Sequence, residues 1–133
     1  MATSSDVSRI ALALPGAEKV RDRWAFGVRT KRKLKEFAWV WMERVTPKKP
    51  RVPNPGVIAI RTSNVAARDR LIAENPSALF TEPHYNDFPA VLVRLEAVGL
   101  VELRRLLTDG WRCQAPVDFV KQRKPARHAR KTS

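Results

Sequence analysis

Residues 80–95, FTEPHYNDFPAVLVRL, combine a polar turn with an apolar run that follows it directly. Pro83 and Pro89 stand at the edges of the turn, where a missing backbone N–H costs least. The run that begins at Ala90 has the apolar content of a buried strand. The segment therefore predicts a short loop after one strand and a second strand from Ala90 to Glu96.

Hydrophobic periodicity divides the rest of the chain into short helices and strands. Helices are predicted at 6–14, 65–74 and 100–113. Ser4 or Ser5 can cap the first helix, and Asn64 can cap the second. Strands are predicted at 24–29, 34–45, 57–62, 79–82 and 90–96. The order α-β-β-β-α-β-β-α predicts an α+β fold, a two-layer domain with an antiparallel five-stranded sheet covered by helices.

The proline-rich segment 46–56 separates the second and third predicted strands. It contains four prolines, so we expect a long exposed loop there without regular structure. The alternation of the preceding strand places Phe37, Trp39 and Trp41 on one face and Ala38, Val40 and Met42 on the other. One of these two stripes must point away from the helices.

A chain of 133 residues has room for one core, so we expect a single domain at 1–120. Residues 121–133 hold no large apolar side chain and are predicted to form a disordered basic tail. The N-terminus has no signal-peptide pattern and no apolar run approaches about 18 residues, which favours a soluble cytoplasmic protein. The single cysteine, Cys113, excludes an intrachain disulfide and is expected to be partly buried.

The formal net charge of +13 is concentrated in two segments. Residues 19–53 hold twelve basic and three acidic side chains, and residues 121–133 hold six basic and no acidic ones. The remainder is slightly acidic. Clustered cations raise the local potential and release counterions from phosphates, so this segregation favours a polyanionic partner. A merely solvated basic surface is the alternative.

The predicted phosphate contacts form three groups, a docking surface at 21–35, a wing at 48–51 and an arm at 121–133. They are Arg21, Arg23, Arg29, Lys31, Arg32, Lys33, Lys35, Lys48, Lys49, Arg51, Lys121, Arg123, Lys124, Arg127, Arg130 and Lys131. If Trp39 and Trp41 lie on the sheet face without helices, they would form an exposed platform for stacking bases. Core packing explains strand aromatics equally well.

The turn at His84, Tyr85 and Asp87 is the one candidate for a small-ligand or catalytic site. Glu82, His84 and Asp87 are three possible metal ligands within one turn with no visible fourth, whereas metal sites usually need three or four protein ligands at suitable spacing. The sequence has no phosphate-binding glycine loop and no G-x-S-x-G motif. We therefore predict no catalytic residues, no metal and no cofactor, and expect these side chains to hydrogen-bond the turn.

Four segments together resemble the MmcQ/YjbR family of small bacterial proteins. They are ALALPGAEK at 11–19, KEFAWV at 35–40, the turn at 80–95 and LLTDGWRCQAP at 107–116. The chain departs from the family pattern at 44–56, which is longer and more basic, and after residue 120. The resemblance implies the same α+β arrangement and a DNA-binding protein of the double-wing type.

Non-enzymatic nucleic-acid binding, with DNA favoured over RNA, is thus the leading hypothesis. Two alternatives stay open. A chaperone-like adaptor could use the same cations to recruit an acidic protein partner, and a small enzyme or ligand binder could use the His84 turn. No helix has the strongly split basic and apolar faces of a membrane-surface helix, so no membrane partner is expected.

Overall fold

The computed structural model describes residues 2–43 and 48–116. The three helices are α1 (Ser4–Leu12), α2 (Val65–Glu74) and α3 (Leu100–Gln114). The strands are β1 (Ala17–Lys19), β2 (Ala25–Arg29), β3 (Leu34–Glu43), β4 (Val52–Arg61), β5 (Leu79–Phe80) and β6 (Ala90–Arg94). Short 3-10 turns lie at Pro83–Tyr85 and Leu95–Ala97.

The strands form one open antiparallel sheet in the order β1-β2-β3-β4-β6-β5. The predicted α+β class is confirmed, but the sheet has six strands rather than five. The missed strand, β1, has only three residues, and two of them are exposed. So short and polar a segment carries no alternating apolar pattern for sequence reasoning to detect.

The main core lies between one face of the sheet and the helices α1 and α3. The sheet contributes side chains from its four longer strands, among them Phe26, Phe37, Ile58 and Val91, all within 0–1% exposure. Trp111 of α3 is fully buried, and its indole N–H donates a hydrogen bond of 2.8 Å to the Pro15 carbonyl. The turn that ends the first helical segment is thereby attached to α3.

Side chains cap the first two helices. The Thr3 hydroxyl accepts a 3.2 Å hydrogen bond from the Asp6 N–H, and the Asp6 carboxylate accepts one of 2.9 Å from the Thr3 N–H. This capping box starts α1 at Ser4, slightly earlier than predicted, because Thr3 rather than Ser4 or Ser5 is the cap. Asn64 caps α2 as predicted, with its side-chain oxygen 2.7 Å from the Ala67 N–H.

Helix α3 packs very close to the sheet at Gly110. A Cβ atom at this position would lie 2.9 Å from Ile60 Cγ2 and 3.0 Å from the Arg61 carbonyl oxygen. Both distances are shorter than ordinary van der Waals contacts. The glycine therefore allows the helix backbone to approach β4.

The prediction that 46–56 has no regular structure is wrong for its second half. Strand β4 begins at Val52 and includes Pro53 and Pro55. Strand β6 pairs with β4 only from Val57 onward, so this end of β4 has a strand partner, β3, on one side alone. Prolines are tolerated in such an edge segment because only one side needs backbone donors.

A bulge in β3 also overturns the expected distribution of its side chains. Phe26 pairs with Ala38 and Gly27 pairs with Glu36, so Phe37 is an extra residue. Both Phe37 and Ala38 are buried in the main core. Phe37 therefore does not share a face with Trp39, and the strict alternation assumed from sequence fails at this point.

Candidate nucleic-acid interface

The face of the sheet opposite α1 and α3, called here the outer face, carries a second apolar cluster. The bulge directs Trp39 and Trp41 to this face, where they pack against Val57, Ala59 and Leu92. Phe80 and Tyr85 also pack against the cluster. Both tryptophans are half-buried. The outer face is thus rich in aromatic side chains.

The loop at 81–89 lies along the outer face and is bonded to both tryptophans. The Trp39 N–H donates to the Tyr85 hydroxyl at 3.0 Å, and the Trp41 N–H donates to Glu82 Oε2 at 2.7 Å. Phe80 packs edge-on against Trp41, with ring centroids 5.6 Å apart. Trp41 is thus held by a hydrogen bond and a ring contact, and Trp39 by a hydrogen bond.

Trp39 borders an open depression, called here the basic groove, with a volume of about 610 Å³. It lies where β4 ends at Arg61 while the β2–β3 hairpin continues, so that residues 34–36 of β3 have no strand partner on that side among the described residues. The groove is lined by Arg23, Lys33, Leu34, Lys35, Glu36, Trp39, Arg61, Phe88 and Gln114. Gln114, the last residue of α3, donates a 3.0 Å hydrogen bond to the Glu36 carbonyl.

Four cations and one carboxylate surround the basic groove. Arg23 forms an ion pair with Glu36, while Lys33 and Lys35 are exposed on the hairpin. The Arg61 guanidinium lies 5.4 Å from the centre of the Phe88 ring, within the range of a cation–π contact. Its Nε is buried and makes no hydrogen bond within residues 2–43 and 48–116. The groove therefore has an excess of positive charge beside exposed aromatic surface.

A second depression, called here the apolar groove, adjoins the basic groove. It has a volume of about 690 Å³ and shares Arg23 and Trp39 with its neighbour. Its other lining residues are Ser4, Asp22, Trp24, Val40, Met42, Pro53 and Pro55. Arg23 and Trp39 are therefore lining residues of both depressions.

The remaining predicted phosphate contacts of the first block lie outside the basic groove. Arg29 makes two 3.0 Å hydrogen bonds with the Glu18 carboxylate across β1 and β2. These bonds lower the pKa of Glu18 and raise that of Arg29. Arg21, Lys31 and Arg32 are exposed in the turns of the β1–β2–β3 meander.

The predicted wing is only partly available for contact. Lys48 and Lys49 are exposed. Arg51 donates to the Met42 carbonyl at 2.7 Å and pairs with Glu82 at 3.4 Å. Its charge is therefore balanced within the fold. The predicted tail contacts, Lys121, Arg123, Lys124, Arg127, Arg130 and Lys131, lie outside the described residues, as do the tail boundaries themselves.

The side chains of the His84 turn do not converge on one point. His84 and Asp87 are exposed, and Tyr85 is directed to Trp39. Among residues 2–43 and 48–116, no group of three or more His, Cys, Asp or Glu side chains could hold a metal ion. The Tyr85 hydroxyl accepts its hydrogen bond from Trp39 of β3 and not from the turn itself.

Arg68 is a positioning residue that sequence reasoning passed over. It is 4% exposed, and its Nη1 donates to the carbonyls of Tyr85, Asn86 and Phe88 at 2.7, 3.1 and 3.2 Å. It also pairs with Asp69 at 2.9 Å. One buried guanidinium thus fixes the loop that carries Phe88. Its sequence signal is an arginine three residues after Val65 and four before Ile72, a spacing that marks the buried side of α2.

A third cavity lies on the helical side, between α2 and α3. It has a volume of about 470 Å³, an apolar floor that includes Ile60, Leu71 and Leu106, and a rim that includes Arg70 and Cys113. Cys113 is exposed at this rim rather than partly buried as expected. Desolvation by the groove wall raises the pKa of its thiol, which disfavours a reactive thiolate at neutral pH.

No helix in the described part of the chain has the length and apolar content needed to cross a membrane.

Comparison with known proteins identifies relatives but no named activity. No protein-family model matches the chain. Uncharacterized protein Rv2570 of Mycobacterium tuberculosis and uncharacterized protein Mb2600 of Mycobacterium bovis are each 36% identical to it over 127 residues. Each alignment covers 90% of this chain and 94% of the relative.

One solved structure is similar in fold. The crystal structure of Deinococcus radiodurans protein DR2400, whose family-model domain is DUF419, matches with a TM-score of 0.61. The match covers 84% of this chain and 77% of that one, at 18% sequence identity. At such low identity the likeness shows a shared fold alone.

Proposed function

For this chain, which belongs to the same family as the uncharacterized mycobacterial proteins Rv2570 and Mb2600, we propose nucleic-acid binding without catalysis. The chain binds mainly phosphates, and DNA is favoured over RNA. The basic groove is the observation that carries this proposal, because it places four cations, Arg23, Lys33, Lys35 and Arg61, around one depression with a single carboxylate, Glu36, which pairs with Arg23.

Phosphate contacts require long cationic side chains held near one another, and they do not require regular spacing. Three of the four cations in the groove come from the predicted docking surface at 21–35. The fourth, Arg61, comes from the distant strand β4. The fold therefore increases the local concentration of charge beyond what the sequence block provides, and each neutralised phosphate releases counterions.

In this proposal, the predicted wing at 48–51 and the predicted arm at 121–133 extend the basic surface. Lys48 and Lys49 act as the wing, while the pairing of Arg51 with Glu82 gives that residue a structural role. The arm at 121–133 adds six cations in the sequence that follows α3, whose last residue, Gln114, lines the basic groove. We also propose that the chain is a double-wing protein of the MmcQ/YjbR type, which favours DNA as its ligand.

Salt dependence tests the proposal. Fluorescence anisotropy with labelled single-stranded and duplex DNA and RNA should show binding, with log K falling against log[salt] at a slope of about −5 for about six phosphate contacts. The variant Lys33→Gln/Lys35→Gln should reduce the magnitude of the slope by roughly 1.5 to 2.

The matched control is Arg70→Gln/Arg104→Gln, which removes two exposed cations from α2 and α3, outside the basic groove. This variant should bind like the wild type. Binding that does not change between low and moderate salt, or equal losses in both double variants, would contradict the proposal.

An adaptor for an acidic protein partner is the second candidate. Met42 and Val52 are 41% and 46% exposed at the end of the β3–β4 pair, near the exposed Lys48 and Lys49. Apolar surface bordered by cations suits an acidic, partly apolar protein segment. Pull-down from a nuclease-treated lysate separates the two functions, since a protein partner survives the treatment and a nucleic-acid bridge does not.

A further inference from the structure

We infer that the preferred nucleic acid is single-stranded and that its bases stack on Phe88 and Trp39. This inference rests on the proposed function and adds the form of the ligand and the position of its bases. The observation that carries it is the juxtaposition of two accessible rings with the four cations of the basic groove.

Phe88 is an apolar side chain without the burial that its type normally has. It is 40% exposed, and it stands at the rim of a groove that is lined by charged side chains. Its ring is held in place by edge-on contacts with Trp39 and Tyr85, each with centroids 6.0 Å apart, and by Arg61 at 5.4 Å. A fixed, exposed ring loses little conformational freedom when a flat ligand stacks on it.

Trp39 supplies the second ring. Its indole N–H donates to the Tyr85 hydroxyl, which fixes the orientation of the ring, and Trp39 is a lining residue of both depressions. The volumes of the two grooves, about 610 and 690 Å³, lie within the roughly 300–1,000 Å³ of pockets that enclose small-molecule ligands. Each groove can therefore accept a base-sized group.

The charge distribution places the backbone of such a strand. Arg23, Lys33, Lys35 and Arg61 line the basic groove together with Trp39 and Phe88. A strand that lies in this groove can place bases against the rings while its phosphates meet these cations. Proteins that bind single strands commonly combine a cationic groove with aromatic stacking surfaces.

A duplex cannot use this arrangement to the same extent. Its bases are paired and stacked on each other, so their faces are not accessible to Phe88 or Trp39 without unstacking, which costs a few kcal/mol per step. The cations remain available to the phosphates of either form. Duplex binding should therefore depend on the charges and be insensitive to the rings.

The test compares Phe88→Leu with Phe80→Leu. Both rings lie on the outer face, but Phe80 packs against Trp41 and Arg94 and lines neither groove. Affinity is measured by anisotropy for a labelled oligothymidine strand and for the duplex that it forms with oligoadenine. Phe88→Leu should weaken single-strand binding by about tenfold, the scale of one lost stacking contact, and leave duplex binding unchanged.

Two further results complete the test. Phe80→Leu should bind both ligands like the wild type, and Phe88→Trp should restore single-strand binding, which separates stacking from a folding defect. An unchanged affinity of Phe88→Leu for the single strand, or equal losses for strand and duplex, overturns the stacking inference while leaving salt-dependent binding intact. If neither ligand binds the wild type, the proposed function itself fails.

Discussion

The indole N–H of Trp39 donates a 3.0 Å hydrogen bond to the hydroxyl of Tyr85, 46 residues further along the chain. This bond connects β3 with the loop at 81–89 and fixes Trp39, one of the two rings that line the basic groove. Tyr85 in turn packs edge-on against Phe88. The geometry of the candidate site therefore depends on contacts between segments that are far apart in sequence.

Tyr85→Phe should lower the free energy of unfolding by about 1 kcal/mol, because the half-buried indole N–H loses its acceptor. Single-strand binding should also weaken, since Trp39 is no longer oriented. Urea unfolding and anisotropy check the two effects. His84→Ala alters an exposed neighbour and should change neither, so equal behaviour of the two variants would contradict the role assigned to Tyr85.

Arg68→Met should lower the free energy of unfolding by about 3 kcal/mol, because three carbonyls lose a charged donor that is almost completely buried. Urea unfolding measures this loss. Arg70→Met, on the same helix but exposed, should change stability by less than about 0.5 kcal/mol. A similar result for both variants would show that Arg68 does not hold the loop.

Gly110→Ala should destabilise the protein by roughly 1–3 kcal/mol, although alanine is the better helix former, because its methyl group overlaps Ile60 and the Arg61 carbonyl. Thermal unfolding followed by circular dichroism provides the measurement. At Gly99 an added methyl meets nothing within 4 Å, so Gly99→Ala should cost less. An increase in stability for Gly110→Ala would disprove the close packing of α3 on the sheet.

The capping box makes stability depend on pH at the acidic end. The hydrogen bond from the Thr3 N–H, followed by that from Arg9, lowers the pKa of Asp6 below its usual 3.8. Because the folded-state pKa is lowered, the contribution is fully present above pH 3.8 and is lost as the pH falls through the folded-state value.

Asp6→Asn should therefore be less stable than the wild type at pH 7, and the difference should shrink as the pH falls below 3.8 and through the lowered folded-state pKa of Asp6. Urea unfolding of both proteins at several pH values follows this change. A constant difference across the series would mean that the carboxylate charge contributes nothing to the cap.

The helices and longer strands were predictable because each carries its own periodic signal. The range 65–74 matches α2, and 100–113 falls one residue short of α3. The bulge at Phe37 and the entry of Pro53 and Pro55 into β4 were not predictable, since both depend on which strands lie beside these residues.

The positive charge of the candidate site was predictable from sequence, but not all of the residues that line it were. Arg23, Lys33 and Lys35 belong to the basic block that the sequence singled out, and Trp39 was identified as a possible stacking residue. Arg61 and Phe88 sit in segments that are nearly neutral overall and reach the groove only through the pairing of β4 with β6. No local pattern places Arg68 beneath the loop that it holds.

The extra residue at Phe37 determines which face of the sheet each later side chain of β3 occupies. Without it, every side chain from Trp39 onward would exchange sides, sending the two indoles into the core and Val40 toward solvent. Deletion of one residue from the first part of β3 should therefore destabilise the fold far more than deletion of two residues. We expect relatives that keep the same number of residues between the β2–β3 turn and the two tryptophans to keep the aromatic outer face as well.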